Sequence, residues 1–278
     1  MDTNHRLTDL QLNQIVDFLS GANALDPLKA LQHRTFMSVR TRACQMRKSG
    51  LDSWSNEKFA AWQSASSPTM IMVKCEYIIR WHVQKFAVDV IHELRHRSVP
   101  VLWALKPAPA HGASAASSID IIKGLICQAI QLDMSQHTER TLALSCAQFR
   151  GADSIEQWFD LLARTIAAFQ LLYIVIDLEA VGSSYLHGTS WLSQLAAMFQ
   201  RHASRKWISR LKILLIGYDS MLLQQDDLFQ FQDVIVPVRQ GSKRGSVLPW
   251  LGRTISSGGV VHTRAFGILG CNSGVVEG

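Results

Sequence analysis

The sequence lacks the cysteine spacing of a thiol or metal framework. Its five cysteines, Cys44, Cys75, Cys127, Cys146 and Cys271, form no CxxC pair. An odd number, several in apolar runs, argues against a disulfide scaffold and for reduced thiols in an intracellular protein. No stretch reaches the ~18 apolar residues of a membrane span. The first ten residues, "MDTNHRLTDL", lack the apolar core of a secretory signal. A cytoplasmic protein without a membrane span is therefore expected. There is no internal repeat, which excludes a solenoid. "GYDSM" is not the G-x-S-x-G of a nucleophile elbow. The aromatic spacing that stacks single-stranded nucleic acid is also missing.

What is present is globular. The 278 residues are 47% hydrophobic and 18% charged, enough for a sizeable core in one large domain or two small ones. The net charge is +6 and the isoelectric point about 9.2. A dispersed excess of Lys and Arg reads as a solvated surface and gives no specific nucleic-acid signal.

Residues 1–66 read as a helical N-terminal region. "LTDLQLNQIVDFLSG" has apolar residues near helical spacing at Leu10, Leu12, Ile15, Val16 and Leu19, with Gly21 as a stop. "RTFMSVRTRACQMRKSG" reads as a basic, solvated helix face. From 67 to 240 the pattern alternates. Short apolar runs near 70–74, 100–105, 171–177, 211–217 and 234–238 read as strands. They do not alternate polar with apolar, so they are buried on both faces, as in a parallel sheet. Amphipathic segments separate most of them: "VQKFAVDVIHELRHR", "SIDIIKGLICQAIQL" with Ser117 as cap and Asp120 three residues on, "DSIEQWFDLLARTIAAF" and "WLSQLAAMFQRHA". The order predicts an α/β fold, a mostly parallel sheet with helices on both faces. Residues 241–278, rich in Gly and Ser without a period, are expected to form a weakly ordered tail.

One motif suggests metal chemistry. "HELRH", residues 92–96, spells the zinc-protease H-E-x-x-H, in which His92 and His96 would ligate zinc and Glu93 would deprotonate a bound water. No further histidine motif follows before the next strand. His111, His137, His187 and His202 are the remaining candidates for a third ligand. His92 and His96 fall off the apolar stripe, on the outward side with Lys85, Asp89 and Glu93, so a solvated helix face explains the motif more simply. Zinc peptidase chemistry stands as the second alternative.

Strand ends suggest phosphate chemistry. In a parallel sheet, ligands gather at the carboxyl ends of the strands. "LLYIVIDLEAV" places Asp177 at such an end, with Glu179 two residues on. A carboxylate there is where P-loop NTPases hold Mg²⁺. The turn after the first strand should then read G-x-x-x-x-G-K-[ST]. Laid on that frame, "KCEYIIRW" puts Lys74 and Ile79 at the glycines, Arg80 at the lysine and Trp81 at the hydroxyl. Backbone freedom and the Mg²⁺ hydroxyl are lost, and Glu76 adds negative charge where phosphate would sit.

The order of these segments resembles the NACHT-type NTPase domains of the STAND class, the fungal members most. "KFAAWQSASSPTMIMVK", "VPVLWAL", "IIKGLICQAI", "IVIDLEAV" and "LKILLIG" carry the resemblance over residues 54–240. It implies a P-loop NTPase-like fold whose first strand is central, flanked by the Mg²⁺-motif strand or the sensor strand; the pairing expected is with the third strand. It implies vestigial nucleotide and Mg²⁺ roles for Arg80, Asp177 and Glu179, to which the phosphate-loop frame adds Lys74; the strand-end acids are expected to cap or to pair with Arg80. The phosphate loop does not match, and "GYDS" lacks a sensor arginine. The expected function is a non-catalytic or weakly nucleotide-binding regulatory or interaction module with protein partners, compatible with oligomerisation and with no required cofactor. The first alternative is an NTPase that uses ATP or GTP with Mg²⁺ through an atypical loop.

Overall fold

The computed structural model describes residues 12–20, 26–44, 57–107, 116–132, 147–181, 191–204, 210–218 and 234–238. Residues 12–19 form helix α1. Then follow α2 (Pro27–Cys44), α3 (Glu57–Ser64), β1 (Thr69–Cys75), α4 (Arg80–His96), β2 (Val101–Ala104) and α5 (Ser118–Leu132). The order ends with α6 (Ile155–Ile166), β3 (Leu171–Asp177), α7 (Trp191–Ser204), β4 (Arg210–Tyr218) and β5 (Ile235–Val238). The five apolar runs of the sequence are the five strands. Residues 241–278 lie outside the described residues.

The strands form one sheet in the order β2-β3-β4-β1-β5, parallel at every pairing. One expectation fails here. The first strand pairs with the fourth and fifth, in register Val73↔Ile216 and Val73↔Val236, and not with the third. All five strands are apolar on both faces, so their hydrophobicity does not rank their partners. The chain path does: α4 carries it from β1 over to β2 at the far edge, leaving room for β3 and β4 between.

Helices cover both faces, because each face of such a sheet is apolar and must be buried. On one side α1, α5, α6 and α7 enclose Met72, Leu102, Ile174, Ile176, Ile213 and Leu215. On the other, α2, α3 and α4 enclose Ile71, Val73, Trp103, Val175, Leu214 and Val236. Strand residues alternate between the two cores, as the two-residue period requires.

Local chemistry sets the helix limits. Ser154 caps α6 in a full capping box with Gln157. At α5, Asp120 N–H donates to Ser117 Oγ at 3.1 Å and Ser117 N–H to Asp120 Oδ2 at 2.9 Å, the reciprocal pairing the sequence suggested. Helix α4 stops because Ser98 takes φ 55° and Val99 N–H reaches back to the Leu94 carbonyl at 2.9 Å, a Schellman ending.

Two polar devices close the fold. The outer edge of β2 is covered by Gln128 of α5, whose amide accepts from Trp103 N–H at 3.0 Å and donates to the Trp103 carbonyl at 2.9 Å. An edge strand left bare would be a template for foreign pairing. On β4, the buried Lys212 ammonium donates to the carbonyls of Trp62 (2.8 Å) and Ala65 and to Thr69 Oγ1 (3.2 Å), tying the end of α3 to the sheet. Burial, with Arg210 nearby, lowers its pKa to about 8. No described helix is long and apolar enough to cross a membrane.

Candidate functional site

Parallel strands put their carboxyl ends on one edge. Cys75, Ala104, Asp177 and Tyr218 therefore end β1, β2, β3 and β4 side by side. Asp177 is 1% exposed. Its Oδ1 accepts from the Glu179 N–H at 3.0 Å, which starts a 3-10 turn over Leu178–Ala180.

The surprise is the partner. Arg34, on α2, places Nη2 at 3.7 Å from Asp177 Oδ2 and 3.9 Å from Glu179 Oε2. Its Nη1 donates to Gln84 Oε1 of α4 at 2.9 Å and its Nε to the Lys106 carbonyl at 3.0 Å. Glu179 also accepts from Lys106 Nζ at 2.7 Å and from Gln84 Nε2 at 3.2 Å. Two carboxylates are thus set among two cations and an amide, all from the chain itself. The sequence pattern of α2 read as a solvated face. At Arg34 that is corrected: the side chain is only 9% exposed. Nothing in the local sequence marks it, because its role depends on how α2 lies against α4 and the strand ends.

The electrostatics follow burial. Desolvation lifts the Asp177 pKa to about 6 against the opposing pull of Arg34, with Glu179 adding to the rise. Asp177 Oδ2 is buried and has no hydrogen-bond partner. The Tyr218 hydroxyl is likewise buried without one, although Gln84 and both carboxylates lie near enough to influence it; burial pushes its pKa up. Beyond the Arg34 ion pair at 3.7 Å, Asp177 Oδ2 is an oxygen of the kind a hard divalent cation takes. Asp177 and Glu179 are the residues that would hold Mg²⁺, which would supply charge neutralisation for a phosphate chain.

The phosphate side does not fit. After Cys75 and Glu76 the chain winds into a 3-10 turn, Tyr77–Ile79, and enters α4 at Arg80. The Ile79 N–H donates to the Glu76 carbonyl and the Arg80 N–H to Tyr77, so these amides are spent within the turn. The segment holds no residue of positive φ, and an anion nest needs one. Lys74 lies within β1, in register with Gly217 and Pro237. Arg80 does not pair the strand-end acids, another correction. Its guanidinium stacks 3.8 Å from the Tyr77 ring and 4.3 Å from the Trp81 ring and donates to the Tyr77 carbonyl. Aromatic faces next to it in sequence satisfy the cation without the entropy of a longer reach.

The HELRH residues do not converge. Glu93 is bound by Arg97 at 2.5 Å. His92 Nε2 lies 3.0 Å from Thr35 Oγ1, whose proton goes to the Leu31 carbonyl, so the imidazole is the donor. His96 is exposed at the end of α4. Among the described residues no group of three or more His, Cys, Asp or Glu side chains is arranged to hold a metal. His111, His137 and His187 lie outside those residues.

No family model, no curated protein and no solved structure matches the chain.

Proposed function

We propose that the chain is a regulatory or interaction module of NACHT-type, P-loop NTPase-like descent that has lost nucleotide hydrolysis. The observation that carries this reading is the fate of the strand-end acids, Asp177 and Glu179, which Arg34, Lys106 and Gln84 occupy from within. A first strand inside the sheet, between β5 and the strand in the sensor place, β4, supports the ancestry. The wound turn after β1 supports the loss, since phosphoryl transfer rests on positioning and charge stabilisation. Removing one such donor costs roughly 10²–10³ in rate, and several are missing here. Where phosphate would sit, Tyr77 and Ile78 are 49% and 69% exposed, a surface suited to a protein partner. The cytoplasm is the compartment that suits Cys75 and Cys127, which form no disulfide among the described residues.

The test is titration with ATP and GTP in Mg²⁺, followed by a turnover assay. The expected result is no saturable micromolar binding and no turnover above the protein-free rate. Micromolar binding that Asp177→Ala or Arg80→Ala abolishes, together with turnover, would overturn the reading.

A further inference from the structure

Helix α2 is packed on one side only. Of its residues whose side chains are described, Ala30, Leu31 and Arg34 are buried. Arg34 donates to Gln84 and to the Lys106 carbonyl, and the Trp103 indole N–H donates to the Pro27 carbonyl at 2.9 Å. The outer side is apolar where a solvated helix would be polar. Leu28, Phe36 and Val39 are 51%, 59% and 64% exposed, three of the seven large hydrophobic side chains exposed among the described residues. Spaced eight and three residues apart, they fall on one side of the helix. They make a stripe, whereas exposed apolar residues scattered singly would call for no explanation.

Charge says what covers the stripe. Lys29 and Arg40 are exposed along one border of it. From Pro27 to Leu51 the chain carries six Lys and Arg and no Asp or Glu. Arg34 among these turns inward, and Lys29 also meets Asp26, just ahead of the helix, at 3.3 Å. A second copy fits the stripe poorly, because two such faces would set basic borders against each other. Side chains more than half exposed on a helix stand as a ridge. A ridge enters lipid without a groove shaped to receive it. An anionic bilayer answers both features, since apolar side chains sink to the acyl boundary while Lys and Arg extend to the headgroups.

We propose that the outer face of α2 docks on an anionic membrane surface. Leu28, Phe36 and Val39 enter the boundary between headgroups and acyl chains, and Lys29 and Arg40 meet the negative headgroups. The helix keeps its place on the protein, because Ala30, Leu31 and Arg34 use the opposite side. Three apolar side chains and a few cations give reversible, salt-sensitive adhesion. The inference goes beyond the functional reading above and does not depend on nucleotide.

The experiment floats the full chain with vesicles of phosphatidylcholine alone and of equal parts phosphatidylcholine and phosphatidylserine. Binding to the mixed vesicles is expected to be at least about tenfold tighter than to the neutral ones, and to weaken as salt is raised. Phe36→Ser should weaken it about tenfold, and Arg40→Glu at least about fivefold. Ile78→Ser removes another exposed apolar side chain, away from α2, and should leave binding unchanged. Circular dichroism checks folding, and Val39→Ser replaces Phe36→Ser if the latter does not fold. Binding to mixed vesicles that ignores a folded stripe variant overturns the proposal, because charge alone then holds the protein. So does an equal loss with Ile78→Ser, which would move the surface to the turn after β1. A chain that ignores both vesicles overturns it as well. A dimer on sizing columns that Phe36→Ser dissolves would then give the stripe to a second copy, and a monomer would leave it to an acidic protein partner. Nucleotide turnover would sink the functional reading above and leave the docking face standing, whereas failure of the vesicle arms would do the reverse.

Discussion

Gly217 offers a sharp test of the packing beside the strand-end site. It lies in β4, in register with Lys74, on the face that meets the α5–α6 core. A Cβ built there would stand 2.5 Å from Met72 Cε and 3.5 Å from Leu178 Cδ1. The second contact is ordinary; the first is not. Met72 is 1% exposed, so its methyl must retreat by about 1 Å into packed surroundings, at ~1–3 kcal/mol for overpacking. Loss of glycine's unfolded-state entropy returns about 0.5–1 kcal/mol. Gly217→Ala should therefore destabilise by about 1 kcal/mol and lower the melting temperature by roughly 2–4 °C. Calorimetry or urea denaturation reads this directly. Shortening the neighbour with Met72→Val should make Gly217→Ala less costly, a coupling of about 1 kcal/mol in a double-mutant cycle. A melting temperature raised by Gly217→Ala, or strict additivity with Met72→Val, would refute the reasoning.

Two further outcomes concern the polar devices. The Lys212 pKa falls from 10.5 to about 8 on folding, so between those values the unfolded chain binds the proton that the folded protein has released. Stability should rise with pH across that window relative to Lys212→Met, by up to roughly 3 kcal/mol; a difference between the two proteins that stays flat from pH 8 to 10.5 would refute it. Gln128→Leu strips both partners from Trp103 on the β2 edge. It should cost about 2–4 kcal/mol in urea denaturation and promote self-association on sizing columns, and a loss too small to measure would show that water serves the edge equally well.

Much of the fold is legible from one residue type in one pattern. "LLYIVID" is apolar at nearly every position, which only a strand covered on both faces tolerates, and it is β3 to the residue. The stripe of Val83, Phe86, Val90 and Leu94 places α4, and all four are buried. The Ser117–Asp120 pair marks the start of α5 because a cap is a contact within one turn of chain. The spacing of the metal motif set His92, Glu93 and His96 on one helix; Glu93 is held by Arg97 one turn on, and the Thr35 partner of His92 came from the helix packed against it.

Strand order and the site belong to the tertiary structure. Each strand is apolar on both sides, so the sequence does not say whether β1 lies against β3 or β4. The charge of Arg34 looks the same in sequence whether it points to water or to Asp177, because 143 residues separate the two and only the docking of α2 across α4 closes that distance. Local hydrogen bonds and hydrophobic periodicity are written in neighbouring residues and can be read there. Long-range ion pairs are decided by packing, which selects one partner among all the charges the chain could bring together.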